Sequence, residues 1–256
     1  MQPDLAQIAT FEEHFAKAQA SSVVELPWGY GHFQRDFPQC HSHNRVVVSS
    51  AASSESVLAA ADELFTDAGL TYRNVTVVDD ALGRNLTPEF NRAGFERETL
   101  VLMTSTNRTV DAPSHTVDAV SYHYMRDAVM RDWRVDLPNA SADVHGQLAD
   151  RMSLYSRGAE VTFLVTHEAS EIAARVELYV DRAHGIAQIE SLQTHHDYRG
   201  CGHARALVCE ARRRAWEAGC AFSFLVADVD DWPHEWYARL GYMAAHRSHN
   251  FIRLGA

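Results

Sequence analysis

Leu5, Ile8, Phe11 and Phe15 recur at helical spacing with charged residues between them, which predicts a helix from about Asp4 to Ala20. After a turn-rich stretch around Pro27-Trp28-Gly29-Tyr30-Gly31 and Phe37-Pro38, the β-branched run Val46-Val47-Val48 reads as a strand. A second helix is predicted over Ser54 to Ala68, where Val57, Leu58, Ala61, Leu64 and Phe65 form one face and Gly69 supplies the stop. Tyr72 to Val78 alternates into a strand, Pro88 to Arg92 reads as a short helix ending near Gly94, and Thr99 to Met103 is a strand.

The polar segment Thr104 to Ser114, with Pro113, separates two regions that each begin with helices and end in strands, so two domains are expected, 1–109 and 110–256. In the second, Tyr122, Met125, Val129, Met130 and Trp133 mark one helix, and Val144, Leu148, Met152 and Tyr155 another. Strands are predicted over Val161 to Thr166, Ile172 to Val180 and Gly185 to Gln193. A long helix from Gly202 to Ala218 follows, with Arg212, Arg213 and Arg214 on its solvated face, then a buried strand from Phe222 to Ala227. A short helix from Pro233 to Leu240, stopped by Gly241, precedes a final extended run from Ala244 to Leu254. The pattern is that of an α/β chain with mixed sheets.

Charge narrows the partners. Lysine and arginine number 23 against 34 acidic residues, a net charge of -11 that repels a phosphate backbone, so nucleic acid is not expected and a cationic small molecule is favoured. No stretch approaches the ~18 consecutive apolar residues needed to cross a membrane. The first fifteen residues carry Asp4, Glu12 and Glu13 and lack the layout of a secretory leader, so the expected location is cytoplasmic, with Cys40, Cys201, Cys209 and Cys220 as thiols. Cys40-His41-Ser42-His43 and His195-His196 lack the separated pairs of a structural zinc site, and no metal is expected.

From Leu192 to Ala204 the chain passes from a strand through a glycine-containing turn into a helix. First-turn amides have no intrahelical acceptor and the helix dipole adds positive charge there, so such a turn can bind phosphate. The run Leu192-Gln193-Thr194-His195-His196-Asp197-Tyr198-Arg199-Gly200-Cys201-Gly202-His203-Ala204 resembles the strand, bulge and phosphate loop of the GNAT superfamily of acyl-CoA-dependent N-acyltransferases. Arg199, Gly202 and Ala204 fit that family's pattern. Asp230-Asp231-Trp232-Pro233-His234-Glu235-Trp236-Tyr237-Ala238-Arg239-Leu240-Gly241-Tyr242 resembles its closing helix and Leu-Gly-aromatic turn.

The resemblance covers roughly Val110 to Leu254 and implies a mixed, mostly antiparallel sheet flanked by helices, in which Gly185 to Gln193 and Phe222 to Ala227 splay apart. Asn91-Arg92-Ala93-Gly94-Phe95-Glu96 is more faintly similar to the closing half of a second such domain, so the implied architecture is two GNAT-like domains, the first degenerate. The resemblance further implies an N-acetyltransferase that moves an acetyl group from acetyl-CoA to the amine of a small molecule, as a monomer or homodimer. Leu192, Gln193, Thr194, Arg199, Gly200, Cys201, Gly202, His203, Ala204 and Asp230 are its candidate cofactor contacts. Tyr237 falls where the family often places a general acid, and a phenol near pKa ~10 suits a departing thiolate.

Glu190, two residues ahead of Leu192, is the candidate general base, directly or through water; on an alternating strand it can equally face solvent or pair with an arginine. Cys201 and His203 stand where many relatives carry Lys, Arg or an aliphatic residue, and His196 replaces a frequent proline. Trp232 and Trp236 either line a substrate pocket or fill the core between helix and sheet, with core filling preferred. The alternative from another class is a CoA-binding regulatory or interaction protein that keeps the fold without turnover.

Overall fold

The computed structural model describes residues 3–108 and 114–255. In chain order its elements are α1 (Leu5–Gln19), β1 (Ser22–Leu26), β2 (Gly29–Phe33), β3 (Arg45–Val48), α2 (Ser54–Asp67), β4 (Arg73–Val77), α3 (Asp80–Arg92) and β5 (Glu96–Ser105). Then come β6 (Asp118–Val120), α4 (Tyr122–Asp136), α5 (Ala142–Asp150), β7 (Glu160–Glu168), β8 (Glu171–Asp181), β9 (Ile186–Thr194), α6 (His203–Glu217), β10 (Phe222–Asp228), α7 (Pro233–Arg239) and β11 (Met243–Arg253). A 3-10 segment, Arg151–Arg157, continues α5. Among the described residues no helix is long and apolar enough to cross a membrane.

Two elements differ from the sequence pattern for steric reasons. The stretch from Pro27 to Gly31 is part of a hairpin, β1 with β2, rather than a turn-rich loop. Gly29 is needed there because a Cβ would lie 1.9 Å from the Val47 carbonyl oxygen on the neighbouring strand. Helix α3 begins eight residues before Pro88. Asp79 caps it, accepting from the Leu82 N–H at 2.7 Å, and Gly83 lets the buried His249 ring press on the helix.

The chain forms two compact units, and neither is one run of sequence: Met1–Phe15 joins Thr104–Leu225, and Ala16–Met103 joins Val226–Ala256. A boundary at 109/110 lies outside the described residues; the middle crossing falls at Met103/Thr104, the head of the polar segment. What the sequence pattern does not convey is the exchange of the chain ends. Phe15 of α1 stacks on Tyr179 at 4.7 Å and Phe11 meets Phe224 edge-on at 6.0 Å, which binds the first helix to the C-terminal region's rings.

In the first unit the strands run in the order β6-β7-β8-β9-β10, antiparallel as far as β9 and parallel between β9 and β10. Helices α4 and α5 lie between β6 and β7 in sequence, and α6 makes the crossover from β9 to β10 that a parallel pair requires.

In the second unit the order is β1-β2-β3-β4-β11-β5, with β3 and β4 parallel and β11 antiparallel to β4. Phe251 of β11 is fully buried in a core with Val46, Val75, Phe65 and Phe90. The internal repeat survives in two helix ends. The Phe95 N–H donates to the Phe90 carbonyl at 3.0 Å past Gly94, and the Tyr242 N–H donates to the Tyr237 carbonyl at 3.1 Å past Gly241. Both glycines have positive φ, +82° and +87°, so each end is the same left-handed cap. Phe90 thus holds in α3 the position that Tyr237 holds in α7, and the first copy lacks the phenol.

Because Phe251 fills the core built from residues near the N-terminus, Phe251→Ala should cost about 3–5 kcal/mol in urea unfolding. It should loosen the second unit first, which amide exchange across β3 and β4 would detect.

Candidate active site

The site grows from the place where β9 loses one neighbour. Its parallel ladder with β10 covers only Ile186–Gln188 against Phe222–Phe224, while on the other side β8 stays paired as far as Thr194. Between Glu190 and Thr194 the β10-facing edge of β9 is therefore outside that ladder, and its N–H and C=O groups must find partners other than β10. Glu177 lies opposite Glu190 and Arg175 opposite Gln193, so Val176 faces both Ser191 and Leu192. Ser191, at φ +54°, is the extra residue of a bulge. Arg175 anchors the bulge by donating to the Ser191 carbonyl at 3.2 Å and to Asp132 of α4 at 2.9 Å, both side chains buried.

The bulge flanks a carboxyl cluster. Glu190 is half-buried, and its Oε1 accepts from the Gln188 amide at 2.7 Å. Burial pushes its pKa up to about 7; the carboxylates of Glu177 and Glu12 add to the rise, and the Gln188 amide opposes it. Glu177 is buried, accepts from the Tyr179 hydroxyl, and is itself pushed upward by desolvation. The alternation of β9 left open whether Glu190 faces solvent. Its place directly across from the buried Glu177 answers that, and the burial that chiefly raises its pKa, with Glu177 and Glu12 adding to the rise, is conveyed by no local sequence pattern.

Downstream of Thr194 the chain makes a 3-10 turn, His196–Tyr198, and reaches Gly200 and Gly202 at φ +79° and +96°. Gly202 is the N-cap of α6 in a left-handed conformation with no side-chain cap, leaving the first-turn amides of this 15-residue helix open. A Cβ on Gly200 would meet nothing, whereas one on Gly202 would lie 3.3 Å from Ser114 Oγ. The loop is braced from that segment, since His115 Nε2 donates to the Cys201 carbonyl at 2.8 Å. Arg199 and Cys201 are exposed, and Arg199 Nε donates to the Thr194 carbonyl at 3.3 Å.

His203 turns inward instead of toward the loop's open side: it is buried, and its ring stacks on His115 at 4.0 Å. Burial, and then the neighbouring His115, lower its pKa. Glu168 Oε1 is 3.3 Å from Nε2 but misaligned, so neither ring nitrogen has a hydrogen-bond partner. His115, Glu168 and His203 bring ligand atoms within 4.8 Å of one another, as do His195, His196 and Asp197.

A cavity of about 210 Å³ opens beside the bulge, between α4, α5 and the 3-10 segment on one wall and β8 and β9 on the other. Leu192 and Gln193 line it, together with Ser191, Glu177 and Arg175. Glu190, Leu192 to Thr194 and the loop Arg199 to Ala204 all belong to the first unit; Asp230 and Tyr237 belong to the second. Asp230 is exposed, and its N–H donates to Asp228 at 2.8 Å. Tyr237 is half-buried on α7 beside Trp236, ring centroids 5.1 Å apart.

Two side readings of the sequence are corrected. Trp232 does not fill the core; it is 65% exposed. Arg212 is not on a solvated face: it is buried and donates to the Asn107 carbonyl at 2.6 Å, while Arg213 and Arg214 pair with Glu210. The triple-arginine pattern hid this because a buried arginine is recognised by its acceptor, and a carbonyl 105 residues away leaves no local trace.

Residues 122–242 match the family described as the Acetyltransferase (GNAT) family, and this segment is a GNAT acetyltransferase domain. The whole chain resembles a GCN5-related N-acetyltransferase from Kribbella flavida (15% identity, 100% of this chain and 98% of that one, TM-score 0.66). It also resembles a tandem GNAT protein from the clavulanic acid biosynthesis pathway (12%, 99% and 96%, TM-score 0.60). A functionally unknown conserved protein from Staphylococcus epidermidis has the same fold (13%, 93% and 95%, TM-score 0.71). No curated protein matches the chain in sequence. At these identities the likeness is one of fold: a tandem GNAT architecture.

A carboxyl titrating at about 7 when folded, against an ordinary value of 4.5, binds more protons folded than unfolded between those pH values. Its effect on stability is a penalty absent below about pH 4.5 and complete above about pH 7, at most about 3 kcal/mol. Glu190→Gln should therefore raise the melting temperature at pH 8, and the gain should vanish at pH 4.

Proposed function

We propose that the protein is an acetyl-CoA-dependent N-acetyltransferase that acetylates the amine of a small molecule by direct attack in a ternary complex. The observation that carries this reading is the departure of β9 from β10 after Gln188, immediately ahead of a glycine loop at the head of α6. A pyrophosphate fits that loop because the uncapped first-turn amides and the helix dipole are open, and the two glycines keep side chains out of the way. The freed edge of β9 at Leu192, Gln193 and Thr194 offers backbone groups to an amide-bearing arm and to a thioester oxygen.

Acetyl-CoA supplies an activated acyl group whose thioester the amine replaces with an amide. Deprotonating the amine falls to Glu190. With a pKa of about 7 it is substantially ionised at neutral pH and still basic enough to accept a proton, the compromise a general base requires. Tyr237 is assigned to protonate the departing sulfur on the correspondence of its motif, supported by its replacement by Phe90 in the degenerate copy. The four cysteines, none of them in a disulfide, suit a cytoplasmic setting.

Calorimetric titration with acetyl-CoA should show saturable binding that Gly202→Glu abolishes. The rate of thiol release, plotted as kcat/KM, should fall below about pH 7 in proportion to protonation of Glu190, and Glu190→Gln should lower it by about 10²–10⁴ and remove that limb. Tyr237→Phe should lower kcat while leaving acetyl-CoA affinity unchanged. Normal binding with no turnover on any amine would favour a CoA-binding regulatory protein instead.

A further inference from the structure

The cavity beside the bulge allows the acceptor to be narrowed, provided the acetyltransferase reading holds. Its volume, about 210 Å³, corresponds to about seven waters of liquid, or an organic molecule of about nine non-hydrogen atoms. The helical wall supplies Val129, Trp133, Leu148 and Met152, an apolar lining deep enough that three of the four are buried.

Charge decides the rest. Two cations line the space, Arg151 from the 3-10 segment and Arg175 from β8, and two carboxyls, Asp136 and Glu177. Arg175 is committed to Asp132 and to the Ser191 carbonyl. Arg151 has its guanidinium 5.8 Å from the Trp133 ring centroid and lies close enough to Glu177 to oppose the upward push of burial on that carboxyl. A guanidinium carries five donors, so it can hold a protein group and a ligand carboxylate together. A second ammonium placed beside it would instead be repelled. Polyamines are disfavoured on that ground, although the chain as a whole is acidic.

We propose that the acceptor is the α-amino group of an apolar amino acid, or of a small molecule bearing the same amine and carboxylate, with its carboxylate on Arg151 and its side chain against Val129, Trp133, Leu148 and Met152. The amine enters on the β9 side, next to the freed strand edge and Glu190. Its nitrogen lone pair forms the new C–N bond to the acyl carbon as the C–S bond breaks. The nitrogen's surplus proton leaves through Glu190, and the thiolate takes one proton to become the free thiol. From the ammonium form of the amino acid, the products are an N-acetyl amino acid, CoA and one proton released to solvent.

The test is a thiol-release assay with acetyl-CoA and L-methionine, L-leucine or L-phenylalanine, run beside the corresponding amino-acid amides and spermidine. The free acids should exceed their amides at least tenfold in kcat/KM, and Arg151→Gln should erase that preference by raising KM for the acids about tenfold with little change in kcat. Calorimetry on the wild-type protein with CoA present gives a readout free of any folding defect: N-acetyl-L-methionine should bind and its amide should not. Amides or spermidine acetylated as well as the acids, or equal binding of the two products, would overturn the proposal. If acetyl-CoA binds normally and amines other than amino acids are acetylated, only the acceptor assignment fails. If acetyl-CoA does not bind at all, the enzymatic reading fails and this inference falls with it.

Discussion

Past Gln188, the backbone of β9 must satisfy its polar groups on one side without β10, and the features of the first unit follow from how it does so. A strand freed of a neighbour tends to drift in register, and here a bulge at Ser191 stops it. The Ser191 carbonyl is tied down by Arg175, and Arg175 is tied to Asp132 on a helix. A buried ion pair of this kind contributes little net stability, because desolvation offsets its attraction. It does fix where the next three residues point, and of these Leu192 and Gln193 line the cavity. The turn into α6 then places two left-handed glycines ahead of a helix with no cap of its own.

The carboxyl cluster shows the same exchange of stability for chemistry. Glu177 and Glu190 sit directly opposite one another on neighbouring strands, an arrangement that repels when both are charged. A chain selected only for stability would place an arginine or an apolar residue at one of the two positions. The Tyr179 hydroxyl and the Gln188 amide hold the two carboxyls apart without neutralising either.

Much of this was legible in the sequence because it is local. The apolar periodicity of α6 and the alternation of β7, β8 and β9 fall within a residue or two of the observed elements, and the glycine turn expected from the family resemblance of Arg199, Gly202 and Ala204 does lead into α6. What was not legible depends on distant partners. The hairpin around Gly29 looks like a turn until Val47 is seen beside it, and the early turns of α3 look unlikely until His249 is seen against Gly83. Glu190 could be nominated from its place ahead of Leu192, but its environment comes from Glu177 and Glu12, and Arg212 needed the carbonyl of Asn107 to explain its burial.

The exchange of chain ends has a consequence for how the protein is made. Strand β11 lies between β4 and β5 in the second unit, so the sheet begun by the first hundred residues lacks an interior strand until Met243–Arg253 is translated. Domains of ordinary chains fold in the order they leave the ribosome; this one cannot finish its earliest half first. During synthesis β4 and β5 present unpaired edges, which invite association with other nascent chains. A stop codon within β11 would thus damage the half of the protein that was made first.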